Sequence, residues 1–311
     1  MIDFRYHLVS LTAVFMALAI GIVLGTSALN KPVMQNLRSQ VHSLTSEKNK
    51  QRDQIGNLRD DIKDHEQFAA AVSTVAVAGK LTGERVAVVS LPGADNTQRD
   101  SVIALLRAAG ATVTARVKVN AKFTDPASGN DLKDQVVRLL PPEVKIPESD
   151  DGEAQAAAVL AGVLLDHGTS SVSEPNRNAF LTSLTTLGMI GVDGQVASGA
   201  EAAVLVAGAA PTGKGADRQL DPQLTIVHAM EDRNGRTVLA GPTSDGDSDL
   251  VGGVRKDQQL GSKVSTVDNV DSADGQCATV LALAEQTAGG HGHYGIASGA
   301  RGPIPTPTPS S

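Results

Sequence analysis

The sequence predicts an α/β protein in three parts: an N-terminal transmembrane helix, a parallel dimeric coiled-coil stalk, and an open, doubly wound, mostly parallel sheet. Three observations predict it. Residues 8–29 (LVSLTAVFMALAIGIVLGTSAL) carry no charge, residues from Met34 onward keep a strict 4-3 spacing, and from Arg85 onward short apolar runs alternate with helical ones. The implied boundaries are 1–30 for the anchor, 31–78 for the coil, 79–300 for the α/β domain and 301–311 for a proline-rich tail.

The 22 uncharged residues of the anchor reach about 33 Å as a helix, which matches a hydrocarbon core about 30 Å thick. Its polar residues, Ser10, Thr12, Thr26 and Ser27, sit near the ends, so it lacks the polar face of a soluble core helix. It also exceeds the roughly 7 to 15 apolar residues of a secretory signal, and reads as an uncleaved signal anchor. Cleavage at the small residues Thr26-Ser27-Ala28 is the alternative. Gly21 and Gly25 are spaced for close helix contact. Charge does not orient the span, because Arg5 on one side is balanced by Lys31 and Arg38 on the other.

With Met34 as position a, the a positions carry Val41, Lys48, Ile55 and Ile62, and the d positions carry Leu37, Leu44, Gln51 and Leu58. The frame continues through His65, Ala69 and Val72. β-Branched residues at a with Leu at d favour a parallel pair of helices. The polar layer of Lys48 and Gln51 penalises slipped registers. Glu47 at g precedes Arg52 at e by five positions, as an interchain ion pair requires, whereas Asp61 and Glu66 form a like-charged pair. These residues, Met34, Leu37, Val41, Leu44, Lys48, Gln51, Ile55, Leu58 and Ile62, are the expected dimer seam, so the first expected partner is a second copy of the chain. His42 and His65 read as surface and seam residues.

Beyond residue 79 the period changes. Residues 85–91 (RVAVVSL), 97–109 and 112–119 read as strand, helix and strand, a βαβ unit that forces a parallel pair. Residues 120–151 form a proline-interrupted insertion around a short helix at 132–140. Helices follow at 153–165, 176–187, 219–232 and 273–287, and strands at 202–206, 237–240 and 263–267. Five strands in all are expected, with both sheet faces covered. The run GPIPTPTPSS after Arg301 reads as a disordered polyproline-type tail.

Composition excludes several functions. Acidic residues outnumber basic ones 34 to 27, and there are only 5 Phe, 2 Tyr and no Trp, so no nucleic-acid surface is expected. A single cysteine, Cys277, excludes an internal disulfide and a Cys-cluster zinc site. Cys277 falls in an apolar helix and reads as an inert core thiol. Ligands of doubly wound sheets bind beyond the carboxyl ends of the strands. One loop there, Gly208-Ala-Ala-Pro-Thr-Gly213-Lys214-Gly215, has the spacing of a phosphate loop. Gly215 stands where Ser or Thr would hold magnesium, and Pro222 interrupts a helix starting there, so a plain surface loop is expected. Asp245, Asp268 and Asp271 read as solvated loop carboxylates, and His228 and Met230 as packing residues. The chain carries no nucleophile elbow, dinucleotide fingerprint or zinc-protease helix, so no catalytic residue is expected and the chain does not read as an enzyme. The one candidate metal pair is His291 and His293 in His291-Gly292-His293-Tyr294, where two imidazoles can take copper(II) or zinc but further ligands are needed.

The start of the chain, with HLVSLTAVFMALAIGIVLGT, the heptad stalk, the phrase Val264-Ser-Thr-Val-Asp268-Asn269 before a small-residue helix, and the ending GGHGHYG together resemble one family. It is the mycobacterial copper transport protein B family of actinobacterial envelope proteins, which includes a corynebacterial relative implicated in envelope integrity and septation. The resemblance covers nearly the whole chain up to the tail. It implies a place in the cell envelope with the α/β domain outside the cytoplasmic membrane, a role in copper efflux or homeostasis, and copper as the metal concerned. It supplies no catalytic or metal-binding residue at a matched position.

The residues themselves argue against a pore. One apolar helix cannot line a channel without oligomerising, and there is no series of roughly ten-residue alternating strands for an outer-membrane barrel. Copper(I) sites recruit Cys and Met, of which the chain has 1 and 5. Two readings follow: a membrane-anchored, non-catalytic dimer acting in copper homeostasis, or a scaffold that binds another envelope or cell-division protein and touches copper only indirectly.

Overall fold

A computed structural model describes residues 4–166, 168, 170–196, 198–212, 216–244 and 249–306. It divides into two compact units, Met1–Asp64 and His65–Ser311.

Helix α1 is assigned over Phe4–Val77. Within the first unit, Phe4–Gly25 is long and apolar enough to cross a membrane, with mean hydropathy 2.5 and no residue buried by the rest of the protein. From Met34 to Ile62 the apolar a and d residues Met34, Leu37, Val41, Leu44, Ile55, Leu58 and Ile62 are all exposed.

The second unit opens on the last turns of α1. Val77 is fully buried, the Ser73 hydroxyl lies 3.3 Å from the carbonyl of Ala273, and the Glu66 carboxylate accepts from the backbone N–H of Ala273 at 2.9 Å. Then follow β1 (Arg85–Ser90), α2 (Asn96–Ala108), β2 (Thr112–Val119), α3 (Gly129–Leu139), α4 (Gly152–Leu164), α5 (Glu174–Thr186), β3 (Ile190–Val192) and β4 (Ala202–Val206). The unit continues with α6 (Ala216–Asn234), β5 (Thr237–Ala240), α7 (Leu250–Lys256), β6 (Ser265–Val267), α8 (Ala273–Thr287) and β7 (His293–Tyr294). The strands form one sheet in the order β3-β2-β1-β4-β5-β6-β7. All neighbours are parallel except β2 and β3.

Side-chain alternation builds two cores. Ala87 and Val89 of β1 pack into the layer of α3, α4, α5 and α6, while Val86 and Val88 pack beneath α2, α8 and the end of α1. Helix starts are set by short polar side chains: Asp95 accepts from the N–H groups of Thr97 and Gln98, Asp151 from those of Glu153 and Ala154, and Ser272 from that of Gly275.

Among the described residues the five expected strands are present, and β3 and β7 make seven. Residues 263–264, expected to open β6, instead follow a 3-10 turn at Leu260–Ser262. Pro222, expected to keep a helix from starting after Lys214, lies inside α6. The chain after residue 300 does not begin as a free tail: Arg301 N–H donates to His293 O at 2.7 Å and Gly302 bridges to Tyr294. Residues 307–311 lie outside the described residues.

Candidate functional site

In a sheet with this strand order the strand sequence runs outward in opposite directions from the parallel neighbours β1 and β4, and there a ligand crevice would open at the carboxyl ends. The two loops that would frame it meet backbone to backbone. A Cβ on Gly208 would lie 2.5 Å from the carbonyl carbon of Gly93, so only glycine fits and the loops press together at that point. Gly213, Lys214 and Gly215, the rest of the phosphate-loop spacing, lie outside the described residues, as does Asp245.

The loop carboxylates are engaged within the protein. The Asp271 carboxylate accepts from the N–H and hydroxyl of Thr243 at 2.8 and 2.9 Å. The Asp268 side chain is buried. It pairs with the Arg255 guanidinium at 2.8 Å and accepts from the N–H groups of Ile296 and Ala297 at 2.7 and 3.0 Å. Asp268 therefore does not lie in solvent as the sequence suggested. Cys277 is buried in α8, and burial pushes its thiol up, away from the reactive thiolate.

Of the histidine pair, His293 is engaged within the fold at both ring nitrogens. His293 lies on β7 beside β6, where Arg255 Nε donates to Thr266 Oγ1 at 2.8 Å and Thr266 Oγ1 lies 3.0 Å from His293 Nδ1. His293 Nε2 lies 3.1 Å from the carbonyl oxygen of Gly261, which can only accept. One tautomer satisfies the chain: Nε2–H donates to Gly261, and Nδ1 accepts from Thr266. Burial, reinforced by the Arg255 charge, holds the ring pKa below its ordinary value and keeps it neutral. The carbonyl of His291 accepts from Arg301 Nη1 at 3.3 Å. Among the described residues no group of three or more His, Cys, Asp or Glu side chains is arranged to hold a metal ion.

Close packing accounts for the glycines of the same segment. A Cβ on Gly292 would lie 2.2 Å from the Tyr294 hydroxyl, which donates to Glu285 Oε2 at 2.6 Å. Gly295, at φ +122°, would place a Cβ 2.1 Å from Asp268 Oδ1. The GGHGHYG phrase thus builds a tightly seated strand and turn at the sheet edge.

The family model described as copper transport outer membrane protein, MctB, matches residues 1–305. The chain belongs to the MctB family. Similar relatives are the copper transporters MctB of Mycobacterium tuberculosis strain H37Rv and Mycobacterium bovis, each 31% identical over 310 residues, covering 96% of this chain and 98% of the relative. The copper transporter MctB of Mycobacterium leprae is 28% identical over 314 residues with the same coverage. In this MctB family chain the expected seam residues, including the polar layer of Lys48 and Gln51, all lie on α1 and face solvent in the single chain.

One feature has no local sequence signature. A cleft of about 610 Å³ lies between the stretch 143–147, α4 and α6, with Glu143, Lys145, His228, Asp232 and Arg233 among its lining. His228, expected as a packing residue, is half-exposed and pairs with Asp257 at 3.3 Å, while Met230 is fully buried. The charged lining comes from two segments far apart in the chain, 143–147 and α6, so only the tertiary fold assembles it.

Proposed function

We propose that the chain is a membrane-anchored, non-catalytic, dimeric protein of the cell envelope that serves copper homeostasis. In this reading the apolar span of α1 sits in the cytoplasmic membrane, and the α/β unit lies outside it. Residues 34–62 pair two copies as a parallel coiled coil. The observation that carries the dimer is the heptad stripe itself: Met34, Leu37, Val41, Leu44, Ile55, Leu58 and Ile62 are between 49% and 64% exposed in the single chain. Seven large apolar side chains at a and d on one helix need an apolar partner, and a second copy supplies the matching register. The copper role is supported by the relatives, whose names describe copper transporters. The anchor in place of a barrel is supported by the open sheet, which ends at β3 and β7.

A second reading has its own support. A copper ion held by His291 and His293 would have to displace Thr266 or Gly261 from the His293 ring. That cost favours a scaffold whose effect on copper runs through another envelope or division protein.

Complementation tests the proposal. A deletion strain should regain copper tolerance with the wild-type chain and not with a Leu44→Lys/Leu58→Lys chain present in the membrane at equal level. Full rescue by that variant contradicts the functional dimer, and a deletion without a copper phenotype contradicts the copper role.

A further inference from the structure

The end of α1 has two opposed faces. At 100° per residue, Glu66, Ser73 and Val77 fall within about 40° of one another, and this is the face held against the α/β unit through Ala273 and the core. Phe68, Val72 and Val75 are centred roughly 200° away. They are 70%, 47% and 78% exposed, in a chain with only 5 Phe. A lone exposed apolar residue needs no explanation, but three on one helix face, with an aromatic among them, have the composition of a contact surface.

The heptad frame counted from Met34 says what covers them. Val72 is a d position, and Phe68 and Val75 are g positions. Ala69 and Ala76 at a are small, so two parallel helices approach closely there and the apolar bulk passes to the flanking g side chains. In a parallel pair a g residue meets the e position five on in the partner; for Phe68 that position is Ser73, which the partner's own α/β unit covers, so Phe68 lies against the margin of that unit. The same frame sets Asp61 against the partner's Glu66. That like-charged contact is relieved because the Glu66 carboxylate is committed to the N–H of Ala273 at the start of α8, where the helix dipole favours a negative charge.

We propose that the dimer seam does not stop at Ile62 but continues to Val75, so that Phe68, Val72 and Val75 form the surface by which the α/β unit takes up a second copy of the same chain. This rests on the parallel coiled coil proposed above. It assigns an interface to the α/β unit, at residues whose solvent exposure keeps them out of the monomer core.

Disulfide cross-linking of the full-length chain in native membranes tests it, in a Cys277→Ala background. Leu58→Cys reports the coil, Val72→Cys the proposed extension, and Thr74→Cys an outward f position. The expected result is oxidative dimer at positions 58 and 72 and none at 74, with Phe68→Ser raising the dissociation constant of the solubilised chain about ten-fold or more. Cross-linking at 58 without 72, or equal cross-linking at 74, overturns the extension while leaving the coil in place. No cross-linking at 58 or 72 overturns the coil and the extension together.

Discussion

Arg255 and Asp268 form a buried ion pair, Nη2 to Oδ2 at 2.8 Å, with the guanidinium 8% and the carboxylate 1% exposed. The pair joins α7 to the end of β6 and holds the turn at residues 294–298. Arg255 also donates to the carbonyls of Tyr294 and Ser298, and Asp268 receives the N–H groups of Ile296 and Ala297. Removing one partner leaves a charge in a site from which water is excluded. Arg255→Met should therefore cost about 3 to 5 kcal/mol in thermal or denaturant unfolding. Arg255→Met/Asp268→Leu should cost less than the single change, because no lone charge remains.

Glycine substitutions should separate close packing from open space. Gly292→Ala and Gly295→Ala should each lower the melting temperature, the first through the Tyr294 hydroxyl, the second through Asp268 and its positive φ. Gly129→Ala, at a helical φ of −55° with nothing within 4 Å, should be neutral or stabilising by about 0.4 to 1 kcal/mol.

These two predictions concern features that were only partly legible in the sequence. Strands β1, β2, β4 and β5 could be read because each is a run of apolar β-formers whose burial is set locally. Strand β3 could not, since Ile190-Gly191-Val192 is three residues long and owes its conformation to antiparallel pairing with β2, some 70 residues away. Helix α7 contains Gly252 and Gly253, which weaken the pattern. Its signal was Asp249, whose side chain accepts from Gly252 N–H. The heptad stripe and the histidines were visible as patterns, but the Thr266 and Gly261 bonds that occupy His293 join residues about 30 apart.

Burial, with a smaller contribution from Asp151, raises the Glu153 carboxyl to about pH 7. A carboxyl raised on folding favours the protonated native state. Its contribution is therefore present below the ordinary carboxylate value of 4.5 and is lost as pH rises through about 7. Glu153→Gln should match the parent near pH 4 and be the more stable protein at pH 8, as measured by urea midpoints at each pH. An equal difference at both values would contradict this assignment.

Copper binding separates the two functional readings. With His293 engaged at both ring nitrogens, calorimetry with copper(II) should give the same binding, or the same lack of it, for the wild-type chain and for His291→Ala/His293→Asn. A site lost in the double variant would establish direct ligation by the histidine pair.

In the proposed dimer, α1 pairs two copies of the chain. Light scattering of the detergent-solubilised full-length protein, corrected for bound detergent, tests it most directly. Paired chains give particles with twice the mass of one chain, reduced to one chain by Leu44→Lys/Leu58→Lys. Single chains at micromolar concentration in the wild-type protein would contradict it.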